Sequence, residues 1–178
     1  MTNSEGRAEA IPPALLDAAA QILGRDGRGG LSMSSLAREV EMSRVTFHRW
    51  GLTVHGILEA LGRRLADDWN VGASQQQDAP APDHLKVMAT VLCYVAERNR
   101  SFVAASLLDR SAYDRIDVGP IVALVEQLPG RSAGSTEVAE AFITATIATY
   151  TALRRVRELP MARARELAVD AAMGLVGD

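Results

Sequence analysis

The stretch SMSSLAREVEMSRVTFHRWG, residues 32–51, gathers donor side chains in a chain otherwise made of Ala, Leu, Val and Arg in long helical runs. Two segments with helical spacing flank Glu41-Met42-Ser43, and the second carries Arg44, Thr46, His48, Arg49 and Trp50. Guanidinium groups pair with guanine edges or phosphates, hydroxyl and imidazole groups donate to phosphate oxygens, and a residue such as Val45 can touch a thymine methyl. Ser32 and Ser43 stand where the two short helices would begin, and their hydroxyls can accept from first-turn N–H groups. A helix N-terminus also presents partial positive charge and unpaired N–H groups that favour phosphate. Two short helices joined by a tight three-residue turn form a helix-turn-helix, whose second helix fits the DNA major groove. An ordinary helical hairpin with a solvated charged face has the same pattern.

Catalytic chemistry has less support. His48, His55 and His84 show no HExxH or other metal spacing, and there is no Gly-rich phosphate loop or GxSxG elbow. Cys93 has no evident base, and Asp67 and Asp68 read as a solvated face. The residues therefore point away from an enzyme, a metal centre and a bound cofactor.

Bulk properties fit a soluble globular chain. Of 178 residues, 48% are hydrophobic and 23% charged, while aromatics are only 4%, so helices should pack closely on small side chains. The formal net charge of −3 argues against a surface that binds nucleic acid everywhere, so any DNA affinity has to come from placement. A lone cysteine excludes an intrachain disulfide. The N-terminus has no apolar signal core, and no apolar run reaches the ~18 residues of a membrane span. The expectation is a cytoplasmic protein.

The elements that would hold these residues are all helical. Helical spacing predicts helices over Pro12–Arg25, Met33–Val40, Arg44–Trp50, Val54–Val71, Asp83–Arg98, Ser101–Ser111, Ile121–Leu128, Thr136–Glu158 and Met161–Val176. Glycines 24, 27, 29 and 30 would end the first, Thr53 would cap the fourth, and residues 74–83 form a proline-broken loop. The fold class is all-α with about nine helices: residues 1–53 as a helix-turn-helix domain and 54–178 as a helical domain.

The order of the first third resembles the N-terminal domain of TetR-family transcriptional regulators. LLDAAAQILGRDG is similar to their first helix and glycine loop, SMSSLAREVEMS to their second helix and turn, and RVTFHRWG to their recognition helix. The similarity covers residues 13–65; the later helices match in number and order. The resemblance implies an operator-DNA interface of Ser32, Ser35, Ser43, Arg44, Val45, Thr46, His48, Arg49, Trp50 and His55. In it Ser32 and Ser35 face phosphate, and Arg44, Val45 and Thr46 face the groove. His48 replaces a phosphate-contacting tyrosine. Three departures stand out: Glu41 where the family has a turn glycine, Gly51 for a buried phenylalanine, and Val54 for a phosphate-contacting lysine, with His55 the basic neighbour.

The resemblance also implies a small-molecule effector pocket among the middle helices and a homodimer through the last two. Mainly apolar pockets carry few orienting polar groups, which nominates Trp69, Asn99, Tyr113 and Tyr150, with Met88, Leu92, Phe102, Phe142 and Thr146 as walls. Ala164, Ala168 and Ala171 lie near one stripe of the last helix, suited to close approach within the subunit or across a dimer. The HRWG variant resembles an actinobacterial, lactone-responsive (QsdR-like) subgroup, which implies a γ-lactone or related acyl effector. A ligand-released repressor is one reading; a helical interaction module with a degenerate helix-turn-helix is the other.

Overall fold

Caps and helix breakers set the element order in the computed structural model, which describes residues 11–73, 80–106, 117–129 and 134–177. The helices are α1 (Pro13–Gly30), α2 (Met33–Glu39), α3 (Arg44–Arg49), α4 (Val54–Ala73), α5 (Ala81–Arg98), α6 (Arg100–Ser106), α7 (Gly119–Val125), α8 (Ser135–Arg155) and α9 (Met161–Gly174). No strand occurs among the described residues. The chain is all-α.

Some boundaries differ from the periodicity. Gly27, with φ at +69° and ψ at −173°, breaks α1 just past the expected end at Arg25, and a short helical piece runs on beyond the kink to Gly30. Helix α5 starts at Ala81, two residues early, because Pro82 sits in its first turn, where a missing N–H costs nothing. Helix α8 stops at Arg155, and Glu158, expected inside it, takes a left-handed φ of +53° in the turn to α9. Residues 107–111 of the expected sixth helix lie outside the described residues.

Helices as short as α2 (7 residues) and α3 (6 residues) are unstable alone, since isolated helices below ~12–15 residues are marginal. Both are closed at each end. Ser32 Oγ accepts from the Ser35 N–H at 3.0 Å, and Ser35 Oγ accepts from the Ser32 N–H at 2.9 Å, a reciprocal capping box. Ser43 Oγ accepts from the Thr46 N–H at 3.2 Å. At the other end of α2, the Glu41 N–H donates to Arg38 O and the Met42 N–H to Ala37 O. In α3 the Gly51 N–H donates to His48 O and the Leu52 N–H to Phe47 O. Each pair is a Schellman closure, which requires a left-handed residue just past the helix.

Gly51, which stands where the family pattern has phenylalanine, meets that requirement at φ +65° without penalty. Glu41 meets it at φ +53° and carries the steric cost of its Cβ. Glu41→Gly should therefore stabilise the protein by about 1 kcal/mol, read as a higher urea midpoint. An unchanged or lower midpoint would show that the turn relaxes around the glutamate.

Backbone packing divides the described helices into two compact units, from Met1–Leu65 with Asn99–Arg115, and from Ala66–Arg98 with Ile116–Asp178. In the first, α1 packs on α2 and α6, and α2 on α3. Leu15, Ala19, Ile22, Leu23, Leu36, Phe47, Ile57 and Leu61 are buried in it. Leu16, expected in the α1 stripe, is half-buried, and Ala18 takes its place. Arg25 reaches Glu39 at 3.1 Å and Arg64 reaches Asp17 at 2.6 Å, tying α1 to α2 and to α4.

In the second unit α5 packs against α7, α8 and α9, and α8 against α9. Leu85, Met88, Leu92, Ile121, Val125, Phe142, Ile143 and Ile147 are buried. The buried small-residue stripe of α9 is Ala164, Ala168 and Ala172, and Ala171 is exposed. Close approach on that stripe therefore serves packing inside the chain, where α9 lies against α8 and α5.

Candidate functional site

The caps that make α2 and α3 possible also fix what their outer surfaces present. Val45 is 68% exposed, and His48 and Arg49 are exposed beside it. Arg44 opens α3; its side chain lies outside the described residues. Phe47 points the other way, buried. Trp50 does two things at once. Its ring meets Phe47 edge-on, with centroids 6.4 Å apart and planes at 81°, yet it remains 44% exposed. A Cβ at position 51 would meet no atom within 4 Å beyond its chain neighbours, so Gly51 leaves no core space to fill, and Trp50 rests on Phe47 while part of its indole faces outward.

The hydroxyls expected at phosphate are occupied by the fold. Ser35 Oγ donates to the Gly30 carbonyl at 2.7 Å besides its part in the capping box. Ser43 Oγ and Thr46 Oγ1 lie 3.0 Å apart. Ser32 and Ser43 are exposed, while Ser35 and Thr46 are half-buried. The Thr53 hydroxyl caps α4, accepting from the Gly56 N–H at 3.0 Å. His55 follows in the first turn of α4, its Nε2 3.8 Å from Glu59 Oε1, so its cationic form has an acidic neighbour one turn on. Ser32, Ser35, Ser43, Arg44, Val45, Thr46, His48, Arg49, Trp50 and His55 all fall within the first unit.

The residues nominated for an effector divide differently. Asn99 and Phe102 are buried in the first unit, whereas Trp69, Met88, Leu92, Phe142, Thr146 and Tyr150 are buried in the second. Tyr113 lies outside the described residues. Polar atoms in the second group have partners already. Trp69 Nε1 donates to the Asp117 carbonyl at 3.0 Å, and Thr146 Oγ1 to the Phe142 carbonyl at 2.6 Å. Tyr150 OH donates to Glu97 Oε2 at 2.9 Å. Glu97 also receives Arg154 on both oxygens, at 2.8 and 3.1 Å, and Arg154 Nη1 donates to the Leu159 carbonyl at 2.7 Å. Spacing could not reveal this network, since it joins residues 53 and 57 positions apart.

Cys93 is buried, and that burial pushes its thiol up to about 12 against the opposing charge of Arg165. It stays a thiol at neutral pH and is a poor nucleophile. Among the described residues no three His, Cys, Asp or Glu side chains cluster as a metal site, and no helix is long and apolar enough to cross a membrane.

No protein-family model and no curated protein matches the sequence. Solved structures do match the fold. The TetR-family transcriptional regulator PfmR from Thermus thermophilus superposes with a TM-score of 0.68 at 16% identity, covering 92% of this chain and 97% of that one. SCO7222, a TetR from Streptomyces coelicolor, gives 0.58 at 16% identity, covering 94% and 96%. A putative TetR-family regulator from Vibrio parahaemolyticus gives 0.56 at 19% identity, covering 93% and 97%. The helix-turn-helix start and the helices that follow therefore have the fold of TetR-family regulators over nearly the full length of the chain.

Proposed function

We propose that the protein is a TetR-type repressor that binds operator DNA as a homodimer and is released by a small, mainly apolar effector. The observation that carries this reading is the doubly capped α2–turn–α3 unit, with Val45, His48, Arg49 and one flank of Trp50 directed outward. Residues 1–53 read as the DNA-binding segment and 54–178 as the effector-binding and dimerisation segment. A two-fold pair of α3 helices would enter successive major grooves of an inverted repeat, about 34–36 Å apart or at a longer spacing. Dimerisation is assigned to the outer faces of α8 and α9, the Ala164 stripe being used inside the chain.

Release requires an effector that favours an arrangement with wrongly spaced recognition helices; each 1.4 kcal/mol of that preference weakens DNA binding about tenfold. Helix α4 is the proposed lever, because its first residues belong to the unit that holds α3 and its last carry Trp69. The HRWG resemblance supports an acyl effector, a γ-lactone or its ring-opened acid.

Arg44→Ala should cost about 1–3 kcal/mol of operator affinity, and more on operator than on random DNA. Sedimentation of a labelled duplex from upstream of the gene reads affinity and stoichiometry together, with two chains per inverted repeat expected, or four on a longer operator. Unchanged binding by an Arg44→Ala, His48→Ala double variant sinks the α3 assignment. A wild-type protein that binds no DNA supports the interaction-module reading instead.

A further inference from the structure

Among the described residues, one buried side-chain nitrogen or oxygen has no hydrogen-bond partner: His84 Nε2. His84 is 9% exposed and lies in the first turn of α5, where its backbone N–H reaches the Pro80 carbonyl at 2.9 Å. Helical spacing sets it on the side of α5 that carries Ala81, Met88 and Val95, all buried. A buried donor or acceptor left unmatched carries its full desolvation cost, so such an atom calls for a partner. Other polar side chains of this unit are spent on the fold: Trp69 on Asp117, Thr146 on Phe142, Tyr150 on Glu97, and Ser135 on Glu126.

We propose that His84 is the polar anchor of an effector site in the second unit, and that the effector is an apolar monocarboxylate whose carboxylate accepts from Nε2–H. The inference rests on the regulator reading and adds the effector's chemistry. An acid fits better than an amine for two reasons. The N-terminal turn of α5 presents N–H groups and partial positive charge. Asp83, the neighbouring acid, is exposed to solvent and not buried with His84. Met88 and Leu92, one and two turns further along the same arc, suit an alkyl body. No bond is made or broken, so the site binds and does not catalyse.

The test uses the full chain, sodium octanoate as the probe and n-octanol as the control for the apolar body. Nitrogen-15 NMR of the imidazoles should show the His84 Nε2 resonance moving as octanoate saturates. The alcohol should bind roughly tenfold or more weakly, for want of a charged acceptor. His84→Leu should melt higher without ligand and lose octanoate binding, while His84→Gln, which keeps a donor, should retain part of it. An unmoved His84 resonance at saturating octanoate overturns the proposal. So does octanoate binding by His84→Leu at wild-type strength, which would leave a buried water as the partner of Nε2. If the leucine variant fails to fold, the wild-type resonance decides. Operator binding by unliganded wild type is measured alongside; its absence overturns the regulator reading whatever octanoate does at His84.

Discussion

Phe47→Ala is expected to cost about 3–5 kcal/mol of stability and, on the proposed function, to remove operator binding with it. Phe47 is the buried side chain of a six-residue helix, and the Trp50 ring rests on its edge. No other described side chain of α3 is buried to match it, since Val45, His48 and Arg49 face outward. Truncation leaves a cavity whose lining loses its contacts, and α3 is too short to survive on caps alone. Urea unfolding followed by circular dichroism measures the loss. A cost below about 1 kcal/mol would mean that the caps, not the core, hold the helix.

Glu97→Ala is the second large effect, expected at about 2–4 kcal/mol. The carboxylate accepts from Nε and Nη2 of Arg154 and from the Tyr150 hydroxyl, and about a quarter of each ionic side chain remains exposed, which holds the cost below that of a fully buried pair. Removing it leaves the Arg154 guanidinium with the Leu159 carbonyl and the neighbouring Tyr150 hydroxyl. The network joins α5, α8 and the turn to α9, so its loss should loosen all three.

A pH signature accompanies this. Burial raises the Tyr150 phenol above its ordinary range, and the hydrogen bond to Glu97 and the charge of that carboxylate raise it further. A group with a raised folded pKa contributes fully below its unfolded pKa and loses its contribution as pH climbs through the folded one. Stability should thus hold through neutral pH and erode above about pH 10. In Glu97→Ala the phenol should ionise at lower pH in an absorbance titration. An unaltered titration would separate Tyr150 from Glu97 in solution.

Local signals are the readable ones. Ser32, Ser43 and Thr53 are identifiable as caps because a hydroxyl at a helix start has one common use, and all three fill it. Phe47, Ile57 and Leu61 follow from helical spacing. What escapes the sequence is contact across distance. Nothing local pairs Glu97 with Arg154, aims the Trp69 indole at Asp117, or leaves His84 Nε2 without a mate. The left-handed φ at Glu41 is visible only through the family resemblance, since glutamate gives no hint of it. Gly51 looks like a missing phenylalanine, and its use in closing α3 needs the backbone angles.

The closures of α2 and α3 have a further consequence. Stability of the α2–turn–α3 unit resides in Ser32, Ser35, Ser43, Thr46, Gly51 and the inward Phe47, whereas Val45, His48 and Arg49 lie on the outside of the same two turns. On the proposed function, mutations that alter which bases are touched would fall on positions with little folding cost, while the positions that hold the helices would carry little sequence information about the operator. A lineage could drift to a new operator through single substitutions at 45, 48 and 49 without passing through an unfolded intermediate. The same three positions form a compact library for retargeting the protein by selection, with the serines, Gly51 and Phe47 left untouched.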